Sequence, residues 1–389
     1  MTYKFVMDES RAFVFILILI SIILIWEHYI KIISSSVFAV ALGMFVSILW
    51  KANMDSTLEF APEIFLYLML PPILLNSALS FKISSLKKNW LSSLLHASFG
   101  TLFALIWIAI GIYLWTYGTS VQMNFTSALL FASILAPTDT VATISMTRSI
   151  ETPDKYILEV LENESVLNDA LSVVFVRLFH TMVEADRTMD HWVPIEIIGF
   201  SLISLVVAIG LAWVTALIIN KYSVKNTSVH YLISLLIYGI CESLDVSGIL
   251  GLFVYGSLVD PPKEMRNFIS SISTIIEAYV YLILGLALHS YDTSLFGISL
   301  LVFMACIIGR VLAVFILGFI LRLCGRYKWT MKSMLFFSMC GVRGAISYAL
   351  CMKFDSVFMR STTFVVIIGS ILIFGSLQKC MFRMLLDTI

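Results

Sequence analysis

The chain has 389 residues, of which 60% are hydrophobic and only 13% charged, with a mean hydropathy of +0.97; soluble domains carry roughly a quarter of their residues as charges, so water is excluded as the main solvent. Basic and acidic residues balance at 25 each, which removes any electrostatic case for nucleic acid or an acidic partner. Six cysteines stand singly, with no CxxC pair and no His at zinc spacing, so neither a zinc site nor a redox pair is indicated. Backbone groups in lipid are satisfied only in helices or a closed barrel. The apolar runs here are far longer than barrel strands require, and an all-α polytopic membrane protein is expected.

The first apolar run follows Lys4, Asp8, Glu9 and Arg11 without a small-x-small cleavage site, so it is expected to remain as a span. In chain order, spans are predicted near 12–28, 32–50, 62–80, 90–116, 125–147, 160–183 and 192–219. Six more follow near 228–243, 247–259, 267–289, 295–321, 331–352 and 361–385, some of them short or polar for single crossings. Of the 25 Lys and Arg, Arg177, Arg310 and Arg343 lie at membrane depth. Six (Lys4, Arg11, Lys51, Arg187, Lys353 and Arg360) fall on one side of the thirteen spans, and the remaining sixteen fall on the other. The positive-inside rule then places the N-terminus outside and the C-terminus in the cytoplasm. No Pro- or Ser-rich linker breaks the chain, and one membrane domain without a soluble regulatory domain is expected.

Once loops are set aside, the ionisable residues at membrane depth are Asp139, Glu164, Asp169, Arg177, Glu242, Glu277, Arg310 and Arg343, with His96 and His180. Each costs roughly 2.5–3.5 kcal/mol on insertion scales, so such a group faces a cavity or a partner and marks a pathway. The densest group is Glu162-Asn163-Glu164-Ser165-Val166-Leu167-Asn168-Asp169 in the sixth span. Ser165 and Asp169 are four residues apart and share a helix face, with Glu164 and Asn168 on the neighbouring one. Interhelical glue is the bland alternative, but glue rarely needs several carboxyls in two turns. In the fifth span, Pro137-Thr138-Asp139-Thr140 interrupts the hydrogen-bond ladder. In the twelfth, Gly341-Val342-Arg343-Gly344 forms a second interruption. Broken helices leave half-helix ends and free carbonyls suited to ions. Asp139 and Arg343 are then placed to compensate opposite helix ends where the two breaks cross, with spans two to seven and eight to thirteen as two repeats. Arg177 and Arg310 are equally compatible with snorkelling and with function. His96 and His180 are expected to be satisfied polar residues.

These motifs resemble the sodium/proton exchanger family of monovalent cation/proton antiporters. Its signatures are a Leu-Pro-Pro run, a Thr-Asp-Pro break, Glu-Ser-Leu-Leu-Asn-Asp and Gly-Leu-Arg-Gly-Ala. In this chain they read Leu70-Pro71-Pro72-Ile73-Leu74-Leu75-Asn76, Thr138-Asp139-Thr140, Glu164-Ser165-Val166-Leu167-Asn168-Asp169 and Gly341-Val342-Arg343-Gly344-Ala345. Glu242-Ser243-Leu244-Asp245-Val246-Ser247-Gly248 matches the family's eighth span and turn. The resemblance implies thirteen transmembrane helices in two inverted six-helix repeats with crossed discontinuous helices, usually as a homodimer. It implies a core of 90–183 and 295–385 moving against a scaffold and dimer part of 12–80 and 192–289. It also implies exchange of Na+, or of Li+ or K+, for H+, with lipid as the surrounding partner and no cofactor beyond the transported ions.

Carried over by residue, the ion site takes Asp169, Ser165 and Thr138 as cation ligands, with Asn168 and Asp139 beside them. Asn76 stands where the family has an acidic residue, and Thr140 where it has proline. The expected mechanism places either one proton or one dehydrated cation on Asp169. Because Asn168 does not titrate, one-for-one electroneutral exchange is expected, serving pH and sodium homeostasis in the plasma membrane. Glu164 and Arg343 are expected to form a buried structural ion pair. A cation channel and a non-transporting membrane sensor are the competing classes; no nucleophile-base pair points to an enzyme.

Overall fold

A computed structural model describes residues 9–29, 34–49, 62–139, 155–184, 193–222, 226–244, 246–325 and 329–386. Thr140 and the rest of the fifth predicted span lie outside the described residues. Every long element among the described residues is a helix. In chain order these are α1 (Glu9–Tyr29), α2 (Ser35–Leu49), α3 (62–80), α4 (Ile83–Thr116), α5 (Phe125–Leu135), α6 (Lys155–Glu184) and α7 (Val193–Lys221). There follow α8 (Thr227–Ser243), α9 (Gly248–Leu258), α10 (Lys263–Leu286), α11 (Phe296–Leu323), α12 (Met331–Met339), α13 (Ala345–Met352) and α14 (Val357–Leu386). The stretches Ile83–Thr116, Lys155–Glu184, Lys263–Leu286, Phe296–Leu323 and Val357–Gly375 are each long and apolar enough to cross a bilayer, and shorter apolar helices accompany them.

Local chemistry explains where these helices distort and stop. Pro71 and Pro72 sit inside α3 and lack the N–H groups that would bond Tyr67 and Leu68; the preceding turn, Phe65–Met69, opens into a π-helix. Helix α5 ends at Leu135, two residues before Pro137, which has no backbone N–H to continue the helical hydrogen-bond ladder. Helices α8 and α9 begin at Asn226 and Ser247, whose side chains accept from free backbone N–H groups of the first turn. Thr330 and Ser333 form a reciprocal cap on α12.

Packing sorts the helices into two groups. Helix α10 lies along α2 and α3, and α9 packs against α3, α7 and α8. In the second group α4 packs against α5, α6 and α11, α5 against α6, and α11 against α12 and α14. Within the first group, α2 and α10 cross at Gly43 and Gly285, whose Cα atoms face each other. A Cβ on Gly285 would press on the Val40 carbonyl oxygen and come within 2.9 Å of Gly43 Cα. Small residues here let two backbones meet without the loss of helical hydrogen bonds.

Candidate functional site

The segments following α5 and α12 meet inside the second group, and their free backbone groups decide what the side chains do. Helix α5 and Pro137 leave carbonyls without helical donors. Arg343, 1% exposed, points its guanidinium at them, donating to the carbonyls of Ala136 and Pro137. In return the Asp139 backbone N–H donates to the Val342 carbonyl at 2.7 Å. The Asp139 carboxylate lies against Gly344, the residue preceding α13, where a Cβ would collide with it. A positive side chain therefore sits at a helix C-terminus and a negative one at a helix N-terminus, the arrangement that offsets both partial charges.

This use of Arg343 corrects the expected Glu164–Arg343 pair. Glu164, 1% exposed, pairs instead with Arg310 on α11, whose two terminal nitrogens each take one carboxylate oxygen. The same guanidinium stacks over Phe337 at 5.1 Å. The physical reason is supply and demand. Arg343 is taken up by two carbonyls at the broken end of α5, whereas Arg310, buried on α11, reaches a single carbonyl, that of Phe337 at 3.4 Å, and takes the Glu164 carboxylate as its main partner. Arg310 therefore does not snorkel. Arg177, the other undecided arginine, bonds Glu242 at 2.8 Å, and Glu242 also accepts from the Gly248 N–H at 3.1 Å. His96 is buried, with Nδ1 on the Ser92 carbonyl and its ring stacked on Trp329.

Helix α6 carries the polar face predicted for it. Ser165 donates to the Thr138 carbonyl at 3.1 Å, and Asn168 donates from Nδ2 to Thr138 Oγ1 at 2.9 Å. Both bonds tie α6 to the unwound segment. A cavity of about 230 Å³ runs along the next face, lined by Asp169, Ser165, Asp139 and Asn76. Ser80, Lys82 and Ser270, at the end of α3, just before α4 and within the second turn of α10, are exposed and mark its mouth. Thr138 and Asn168 are each 1% exposed and stand behind that wall. The six predicted site residues thus converge, four on the cavity and two supporting them.

The opposite wall comes from α10. Ser273, Glu277 and Tyr281 recur every fourth residue and so share a face. Ser273 donates to Glu277 at 2.8 Å, and the Tyr281 hydroxyl donates to Asp139 Oδ2 at 2.9 Å. Glu277 and Tyr281 line the same cavity. The sequence does not single out Tyr281, which stands in the apolar second half of α10 and only continues the period of four set by Ser273 and Glu277. Chemically, the cavity offers a concentration of hard oxygen atoms, carboxylate and hydroxyl, which suits a small cation or a proton rather than a soft metal or an anion.

The chain is similar to known proteins over nearly its whole length. The family model described as "Sodium/hydrogen exchanger, transmembrane" matches residues 14–387. Among curated proteins, sodium/hydrogen exchanger 1 of Dictyostelium discoideum is 26% identical over 94% of this chain and 59% of its own length. Human sodium/hydrogen exchanger 8 is 25% identical over 90% of this chain and 66% of its own. The chain thus spans about three-fifths to two-thirds of the length of these relatives. Among solved structures, the sodium proton antiporter MjNhaP1 of Methanocaldococcus jannaschii at pH 8 shares the fold with a TM-score of 0.73, at 19% identity, covering 96% of this chain and 100% of that one.

Proposed function

This chain belongs to the sodium/hydrogen exchanger family, an integral, multi-pass membrane family, and on that premise we propose that it is a secondary antiporter that exchanges a monovalent cation, Na+ first, for H+. The observation that carries this reading is the oxygen-lined cavity that reaches Asp169 beside two crossed helix breaks. In the proposed cycle Asp169 holds either a proton or a cation, because a carboxylate at membrane depth is costly and each occupant neutralises it. Ser165 supplies a second oxygen, and the Thr138 carbonyl, already accepting from Ser165, has a further lone pair for the cation. Asn168 holds Thr138 in place. It carries no charge, so one carboxylate at the pair titrates and exchange is electroneutral. Asp139 lines the cavity and keeps the end of α13 compensated.

Alternating access follows if the group built on α4–α6 and α11–α14 rocks as a body against the group built on α2, α3 and α7–α10. The packing is denser within each group than between them, which supports that division. The remaining proposals are thirteen crossing helices in two inverted repeats, assembly as a homodimer in the plasma membrane, an outside N-terminus, and a role in pH and sodium homeostasis. The mouth of the cavity, marked by Lys82, is then cytoplasmic. The test is exchange in proteoliposomes with a pH-sensitive dye, adding Na+, Li+ or K+ in turn to the native chain and to Asp169→Asn. Cation-driven proton movement in the native chain that is lost in the variant, and is insensitive to an imposed membrane potential, supports the proposal. Undiminished exchange in Asp169→Asn refutes the site, and steady single-channel current refutes the antiport class.

A further inference from the structure

We propose that Tyr281 is a positioning residue whose hydroxyl, bound to Asp139, holds the transporter in the state with the cavity open on the Lys82 side. Tyr281 belongs to α10, which packs on α2 and α3, whereas Asp139 belongs to the broken segment after α5. Their 2.9 Å hydrogen bond therefore crosses the boundary between the two helix groups at the level of the ion site. Each end is fixed within its own group. The Tyr281 ring is 4% exposed in the packing of α10. Asp139 is held by its N–H bond to Val342 and by the contact of its carboxylate with Gly344.

A bond with both ends fixed cannot follow a rigid-body displacement. Donor and acceptor separated beyond about 3.5 Å no longer form a hydrogen bond, and rocking of one group past the other by more than that small margin breaks it. The bond is thus a differential contact, made in the cavity-open arrangement and absent from the alternative, which is the requirement for biasing a two-state equilibrium. Its acceptor is a carboxylate, which makes it one of the stronger kinds of hydrogen bond. The ring alone would fill the same space in the apolar packing, so the hydroxyl is the part of the side chain that acts through Asp139.

This inference rests on the alternating-access reading, and its test separates the two. Val173 and Val176 lie four and seven residues beyond Asp169 on the same face of α6 and are 4% and 5% exposed. A path to Asp169 from the opposite side passes them. Val176→Cys, in a background carrying Cys324→Ser and Cys380→Ser, reports that opposite opening through its labelling rate with a membrane-impermeant maleimide. Adding Tyr281→Phe, which keeps the ring and the packing, is expected to raise that rate roughly tenfold, as the loss of a hydrogen bond to a charged acceptor implies. The half-saturating cation concentration on the Lys82 side is expected to rise with it. An unchanged or slower labelling rate overturns the proposal, as does loss of exchange with labelling unchanged. Labelling needs no transport, so if the native chain exchanges no ions the antiport reading fails while the labelling still decides the role of Tyr281.

Discussion

The Glu164–Arg310 pair offers the sharpest energetic test of the buried core. Glu164→Gln keeps the side-chain volume but leaves Arg310, its side chain 8% exposed, without a counter-charge. Surface pairs contribute little because water screens them; here both partners are shielded and the fork is two-pronged. Removing one partner of such a pair costs about 3–5 kcal/mol, since the remaining charge stays buried. Removing both charges with Glu164→Gln and Arg310→Met is expected to recover most of that loss, because no uncompensated charge then stays buried. The assay is the thermal midpoint of the detergent-solubilised protein, followed by loss of the monodisperse peak. The single variants should fall by several degrees and the double variant should lie well above their sum. If the rescue instead appears when Glu164→Gln is combined with Arg343→Met, the pairing argued here is wrong.

Gly344→Ala puts a methyl group into the Asp139 carboxylate, so exchange should drop at least tenfold while the protein still reaches the membrane, measured as flux per reconstituted molecule. Gly285→Val forces α10 off α2 at Val40 and Gly43; overpacking of this kind costs about 1–3 kcal/mol or more, and the thermal midpoint should fall even though the ion site is untouched. Asn76→Asp adds a carboxylate to the cavity wall, and the half-saturating cation concentration should fall, with the effect measured separately for Na+, Li+ and K+.

Much of the architecture is readable from the chain because lipid imposes simple length rules. Helices α6, α7, α11 and α14 coincide closely with predicted spans, and Pro137 and Gly341-Gly344 mark where the helical ladder is interrupted. Asp169, Ser165 and Asp139, which meet on one cavity, stand out in the chain for the same reason, being polar where polarity is costly. Partner choice does not stand out. Arg310 and Arg343 are both buried arginines, and nothing in their spacing states which one faces Glu164; that depends on the rotation of α11 and on the carbonyls left free at the end of α5. Tyr281 was missed because a tyrosine in an apolar helix reads as packing until its hydroxyl is seen to reach Asp139. The π-helical turn before Pro71 was likewise hidden, because a proline pair in a membrane helix predicts a disturbance without specifying its form.

Competition of proton and cation for one carboxylate is measured by calorimetric titration of the purified protein with Na+ in buffers of different ionisation enthalpy. The account predicts one proton released for each cation bound when Asp169 starts protonated, with both signals absent in Asp169→Asn. Cation binding without proton release, or binding that survives Asp169→Asn, would contradict it.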